Sequence, residues 1–350
     1  MPPPRARLRV KRQALDDVLR VVLHELLQSN LRVGPSQGDA LEIVDANIEL
    51  TNPRIRLSRT EARGNVFSGL GELLWYLAGT DDVNFIEYYI PGYNRFSEAN
   101  GRVWGAYGPR LFNQRGEDQI SKVISLLRAR PDTRRAVIQL FNSDDLGPEL
   151  TNNRYKDIPC TCLMQFLLRR DYLIMYVTMR SNDAYVGLPH DIFCFTMIQE
   201  IVAKTLGAKL GPYIHTVGSL HLYARDVEKA QSYLKEGWQE PKAMPQMPNA
   251  DPWPEISRLL QIEYQLRNAD QSHISPPESE YWADFARLLR IYQLTRGTHP
   301  VATKRTPTSS LREVVQLKHK MSTNVYDEYI RRRENRLKTI YHEQPDLPHL

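Results

Sequence analysis

Apolar side chains recur at helical spacing early in the chain: Leu15, Val18, Leu19, Val22, Leu23 and Leu26 fall on one face of ALDDVLRVVLHELLQSN, which predicts a core-facing helix. The next stretch, NLRVGPSQG, is turn chemistry, and LEIVDANIEL alternates as a strand does. GLGELLWYLAG and DDVNFIEYY read as two helices separated by a Gly-Thr break. QISKVISLLRAR is a helix stopped at Pro131, and AVIQLF is a short strand of β-formers. LMQFLLRRDYLIMYVTMRSND reads as a hairpin turning at Arg170 and Asp171. Residues 192–206 are apolar all round, as in a buried helix, and a strand through YIHTVGSLHLY and an amphipathic helix, ARDVEKAQSYL, complete one α+β body.

The pattern changes after Trp238, where Pro241, Pro245, Pro248, Pro252 and Pro254 forbid regular helix or interior strand. Beyond them, Trp282, Phe285, Leu288, Leu289 and Tyr292 form a helical stripe, and Ser310 with Glu313 reads as a capping box opening a long, charged last helix. The expected organisation is a catalytic body over 1–254 and a helical C-terminal extension over 255–350, without internal repeats.

With 41% hydrophobic and 25% charged residues, the composition is that of a globular protein. No run is long and apolar enough for a membrane helix, and the start, MPPPRARLRVKR, lacks a secretory apolar core, so a cytoplasmic protein without a membrane partner is expected. The three cysteines, Cys160, Cys162 and Cys194, form no disulfide framework. The net charge of +5 gathers largely at the chain ends and suits an anionic small substrate as well as a nucleic acid; the small substrate is the expectation.

Cys160 follows a loop in DIPCTC and precedes LMQFLLR, a placement that can project a thiol into a cleft. A nucleophilic thiolate needs positive neighbours to lower its pKa, and Arg134, Arg135 and Arg180 are candidates. Taken alone, a buried structural cysteine is the better reading. The surrounding motifs change that. From Gly69 to Tyr223 the chain resembles thymidylate synthases: GELLWYLAG, the segment ending in Tyr107 and Gly108, DTRRAV, Pro159-Cys160, MRSND followed by GLP, and His221 to Tyr223 occur in the family's order.

The resemblance implies a thymidylate synthase-like fold, a homodimer, a pyrimidine nucleoside monophosphate as substrate and methylenetetrahydrofolate as the carbon donor, with no metal. It implies that Cys160 adds to ring carbon 6 and that carbon 5 then attacks the folate methylene. Arg180 and Ser181 would bind the phosphate, with Arg134 and Arg135 arriving from the partner subunit and Arg32 as a further phosphate ligand. Glu72 and Tyr107 would manage protons, Asp183 would hold the pterin, and His221 and Tyr223 would hold the sugar 3-hydroxyl.

Some positions depart from the family. Asp191, in GLPHD, stands where thymidylate synthases have asparagine, and resembles the cytosine-using hydroxymethylases. A neutral aspartic acid offers cytosine the donor and acceptor it requires, whereas an amide serves uracil. The alternative is that Asp191 merely pairs with His190. Tyr93 and Phe96 occupy tryptophan positions on the folate side, and the chain ends in HEQPDLPHL without the family's apolar tail, so water would trap the transferred methylene as a hydroxymethyl group. Thr161 and Met179 replace a histidine and a glutamine, thinning the polar network. The resulting expectation is hydroxymethylation of dCMP or CMP. Methylation of dUMP is one alternative. A catalytically silent relative binding RNA or protein through RRRENRLK is another.

Overall fold

The computed structural model describes residues 6–35, 38–60, 66–146, 155–270, 275–296 and 307–343. Ser36 and Gln37 of the early turn segment and the closing residues 344–350 lie outside them. The chain divides into two compact units, one of residues 1–63 and 68–250, the other of 64–67 and 251–350.

The first unit runs β1 (Ala6–Arg12), α1 (Leu15–Leu27), β2 (Arg32–Val33), β3 (Ala40–Leu50), α2 (Val66–Leu77), α3 (Val83–Tyr89), α4 (Tyr107–Phe112), α5 (Gln119–Ala129), β4 (Val137–Gln139), β5 (Thr161–Arg169), β6 (Tyr172–Asp183), α6 (Gly187–Thr205), β7 (Lys209–Tyr223) and α7 (Val227–Lys235). Residues 66 and 67 at the start of α2 are grouped with the second unit. The strands form one mixed sheet in the order β1-β3-β7-β6-β5-β4, with β2 on β3. Because β7 pairs along the whole of β3, β1 and β2 share the other edge. The expected hairpin is β5–β6, closed by Arg170 and Asp171, both with positive φ. Such a two-residue turn matches the strand twist.

α1 buries its predicted stripe, from Leu15 to Leu26. α6 is buried along nearly its whole length, Thr196, Gln199 and Glu200 included among its largely apolar residues. It begins earlier than the apolar run, at Gly187, which places Asp191 near its N-terminal end. β6 and β7 run parallel, with Asp183 opposite His221, so the ends of both strands and the start of α6 converge on one rim. β1, absent from the sequence expectations although Leu8 and Val10 alternate with charged residues, is held by parallel pairing with β3 and buries those two side chains.

The second unit contains α8 (Trp253–Asn268), α9 (Glu280–Thr295), α10 (Pro307–His319) and α11 (Asp327–Glu343). α9 buries Trp282, Phe285, Leu288, Leu289 and Tyr292, the stripe read from sequence. The capping expectation fails. α10 already begins at Pro307, whose fixed φ suits a first helical position, so Ser310 is buried inside the helix and Glu313 binds Arg290 at 2.7 Å. The last helix is the separate α11, and its Arg331 and Arg333 are engaged within their own unit. Arg331 binds Glu328 at 2.6 Å, and the Arg333 guanidinium lies between the rings of Phe67 and Tyr292, at 4.9 and 4.8 Å.

Candidate active site

Cys160 is the residue before β5, and its carbonyl accepts from the Arg180 amide at 2.9 Å, which ties it to the neighbouring strand β6. The Arg180 side chain folds back over the same loop. Its Nε donates to Pro159 O at 3.0 Å and its Nη2 to Ile158 O at 2.9 Å. The loop is anchored further upstream, where Tyr155 stacks on Trp104 with ring centroids 3.8 Å apart and the Lys156 amide donates to Glu98 at 2.7 Å. Trp104 is held in turn, since its Nε1 donates to Asp145 at 2.7 Å beside the buried Arg110–Asp145 pair. The thiol is half-buried, and burial pushes its pKa up to about 11, against the pull of Arg180 and with Asp157 and Asp191 adding to the rise. Arg180 thus fulfils the sequence expectation of a cation beside the thiol. Arg134 and Arg135 do not: both are exposed on the approach to β4, and neither is among the charges that bear on Cys160. The physical reason is that their segment pairs with the far end of β5, where Gln165 donates to Arg134 O.

Tyr107 opens α4 with its hydroxyl against the first residue of β5. Its oxygen accepts from Thr161 N at 3.1 Å and from Thr161 Oγ1 at 2.9 Å, leaving its own proton to donate elsewhere. Thr161 thus fixes the phenol. Glu72, on α2, is buried rather than a solvated helix residue, and Tyr76, one turn later, donates to its Oε1 at 2.6 Å. The Tyr76 and Tyr107 rings lie 5.2 Å apart, joining the two acid-base candidates.

Asp191 does not pair with His190. That histidine turns away, with Nδ1 2.8 Å from Val186 O and Nε2 2.9 Å from Ser68 Oγ. Asp191 instead accepts from Asn182 Nδ2 at 2.7 Å. Asn182 Oδ1 lies 3.1 Å from His215 Nε2, and His215 Nδ1 lies 2.7 Å from Tyr213 OH. With the amide nitrogen committed to Asp191, the direction of the whole chain follows: Tyr213 O–H donates to Nδ1, and His215 Nε2–H donates to the amide oxygen. Burial holds the Asp191 carboxyl well above the usual carboxylate range, and the charge of Glu72 pushes it further. His215, fully buried, is pushed down to about 3 and is neutral.

Ser181, Asp183, His221 and Tyr223 lie at the rim formed by β6, β7 and α6, whereas Tyr93 and Arg32 come from other elements. Asp183 accepts from the backbone N–H groups of Tyr185 at 2.9 Å and Val186 at 3.3 Å. Ser181 Oγ lies 3.5 Å from His221 Nδ1, and the His221 and Tyr223 rings meet edge-on at 4.8 Å. Tyr93 packs edge-on against Trp75 at 5.6 Å and against Phe96 at 5.2 Å, forming an aromatic wall. Arg32 is exposed on β2, opposite Leu41, which in turn pairs with Leu222 between His221 and Tyr223.

Residues 39–268, more than half of the chain, match the family model for thymidylate synthase. The chain belongs to the thymidylate synthase family. It is accordingly a transferase of one-carbon units to pyrimidine nucleoside monophosphates, in a family that uses methylenetetrahydrofolate as the carbon source. Among the described residues, no helix is long and apolar enough to cross a membrane.

Sequence reasoning missed Asn182, His215, Tyr213 and Tyr76. Asn182 lies inside MRSND between two residues that were singled out, and Tyr213 and His215 are two apart on a strand and so share a face. Tyr76 is four residues after Glu72, the spacing that makes helix neighbours.

Proposed function

We propose that this enzyme transfers the carbon to a cytidine nucleotide, dCMP or CMP, and leaves it as a hydroxymethyl group on ring carbon 5. The observation that carries the reading is Asp191 at the end of the Asn182–His215–Tyr213 chain. Burial raises the pKa of that carboxyl well above the usual range, which favours its neutral acid form. Because Oδ2 accepts the amide N–H, it is favoured as the carbonyl oxygen, and the proton belongs on Oδ1. The group then presents one donor and one acceptor side by side. Ring nitrogen 3 of cytosine accepts and the 4-amino group donates, so the complement is complete; uracil would face a donor with its 4-oxo group only if the two oxygens exchanged roles.

Cys160 is the nucleophile for ring carbon 6, and addition there makes carbon 5 nucleophilic. The methylene donor supplies an electrophilic carbon at the formaldehyde level, so a hydroxymethyl product requires no reductant. Tyr107, with two bonds accepted and its proton free, donates into the cleft; Glu72, oriented by Tyr76, takes and returns protons at the base. Arg180 binds phosphate through Nη1, which has no partner among the described residues, while Ser181, His221 and Tyr223 hold phosphate and sugar. The exposed Arg134 and Arg135 serve the site of a second copy across a homodimer, where two guanidinium groups would also draw the Cys160 thiol down. Asp183 fits the folate: each oxygen keeps a lone pair beyond its backbone bond, enough to accept from the pterin amino and ring N–H groups, and Tyr93, packed on Trp75, offers an aromatic surface for it. Residues 255–350 are taken as a helical extension beyond the catalytic body, in keeping with the helices of the second compact unit.

Product mass tests the reading. With dCMP or CMP and methylenetetrahydrofolate, a hydroxymethyl nucleotide and no dihydrofolate are expected. A methyl nucleotide from dUMP, with dihydrofolate formed in step, would replace this reading with methylation.

A further inference from the structure

We propose that Asp157 is the catalytic base that takes the proton from the water that adds to the exocyclic methylene, an inference that rests on the hydroxymethylation reading. Asp157 lies three residues before Cys160, in the loop whose next two carbonyls are gripped by Arg180. Its carboxyl lies over Gly105, two residues before Tyr107, and fits there only because Gly105 has no side chain: a Cβ would collide with Oδ2. Its charge acts on Cys160 and, more strongly than that of Glu72 or Asp191, on Tyr93. The carboxyl, seated against Gly105, thus bears on both the nucleophile and the Tyr93 ring of the aromatic wall. Among the described residues no hydrogen-bond donor meets it, and it keeps part of its surface exposed. A partly exposed carboxylate that no protein donor meets among the described residues is open to water or substrate.

The charged groups facing it are Arg180 and Arg110, which favour its ionised form, and Glu98, which opposes it. Burial outweighs them and raises its pKa to about 6, close to the operating range of a general base at neutral pH. Tyr93 and Cys160 complete its surroundings.

The step balances without an oxidant or reductant. Water forms a C–O bond to the exocyclic carbon and gives one proton to the Asp157 carboxylate. The electron pair of the exocyclic double bond moves into the ring, restores the bond between carbons 5 and 6, and expels Cys160 as the thiolate. Asp157 is separate from Glu72 and Tyr107, which act at the base before the methylene exists.

The test uses the full-length enzyme, wild type and Asp157→Asn, with carbon-5-tritiated dCMP or CMP and methylenetetrahydrofolate. Tritium release reports the steps up to loss of the carbon-5 proton, and product mass reports the hydration. In Asp157→Asn, tritium release is expected to stay within about threefold of wild type while hydroxymethyl product falls on the order of 100-fold. Added 2-mercaptoethanol should then be recovered on the exocyclic carbon, and the rise of product rate through pH about 6 should vanish. Independently of folate, Asp157→Asn should speed alkylation of Cys160 by iodoacetamide, because a negative charge beside the thiol is gone; this also reports that the variant folds. Equal losses of tritium release and product, or an unchanged product rate and pH profile, would overturn the inference alone. A wild-type enzyme that makes no hydroxymethyl nucleotide would overturn the parent reading as well.

Discussion

The amide nitrogen of Asn182 lies 2.7 Å from Oδ2 of Asp191, and in the neutral acid proposed for Asp191 this contact leaves the proton to Oδ1. Removing the amide frees that choice. Asn182→Ala should therefore lower the preference for cytidine over uridine nucleotides, read as the ratio of kcat/KM values, by roughly tenfold, the value of one hydrogen bond of about 1.4 kcal/mol. A variant that loses overall activity with the ratio intact would mean that Asn182 only supports the fold.

His215 gives the same chain a pH dependence. Its folded pKa of about 3 lies below the ordinary value of 6.5, so the unfolded chain binds a proton that the native chain refuses. Stability contributed by the neutral ring is complete above pH 6.5 and is lost as pH falls toward 3. At pH 5 the loss is roughly 2 kcal/mol. Urea unfolding at pH 7 and pH 5 should show this difference in wild type and a smaller one in His215→Gln.

Thr161 contributes both donors that hold the Tyr107 oxygen. Thr161→Val keeps shape and the backbone bond but removes the hydroxyl, so the phenol is less firmly aimed. The expected result is a fall in kcat of about tenfold with little change in nucleotide KM, measured by steady-state kinetics. An equal rise in KM would assign Thr161 to ground-state binding instead.

The Arg110–Asp145 pair is buried, and Asp145 also holds Trp104. Asp145→Ala strands a buried guanidinium and should cost about 3–5 kcal/mol in denaturant unfolding. It should also release Trp104 from its stack on Tyr155 and so change the tryptophan fluorescence. Unaltered fluorescence in the folded variant would show that the stack is held without Asp145.

Much of this was legible because periodicity reports burial. The stripe of α1, the all-round apolar run of α6 and the β5–β6 hairpin each state their surroundings in a few residues. β1 was missed although Leu8 and Val10 alternate with Arg7, Arg9 and Lys11 as in a half-buried strand; pairing with β3 is the tertiary event that buries them. Ser310 and Glu313 misled because the capping signature is local, whereas Arg290 on another helix claims the glutamate. In the site, motif order gave Cys160, Asp191 and Asp183. The partners that set their chemistry come from other elements: β7 supplies His215 and Tyr213, and the segment before α4 supplies Gly105 to make room for Asp157. Spacing along one chain cannot show which distant side chain completes a buried carboxyl's hydrogen bonds.

The central claim is that Asp191, as a neutral acid, selects cytosine. Its most direct test is tritium release from carbon-5-labelled dCMP, CMP and dUMP by wild type and Asp191→Asn, with methylenetetrahydrofolate present. The account predicts that wild type releases tritium from a cytidine nucleotide and that Asp191→Asn moves the preference toward dUMP by about 100-fold or more, since each misplaced donor or acceptor costs about 1–3 kcal/mol and two are exchanged. Wild-type release from dUMP alone, or a preference that Asp191→Asn leaves unchanged, would contradict it.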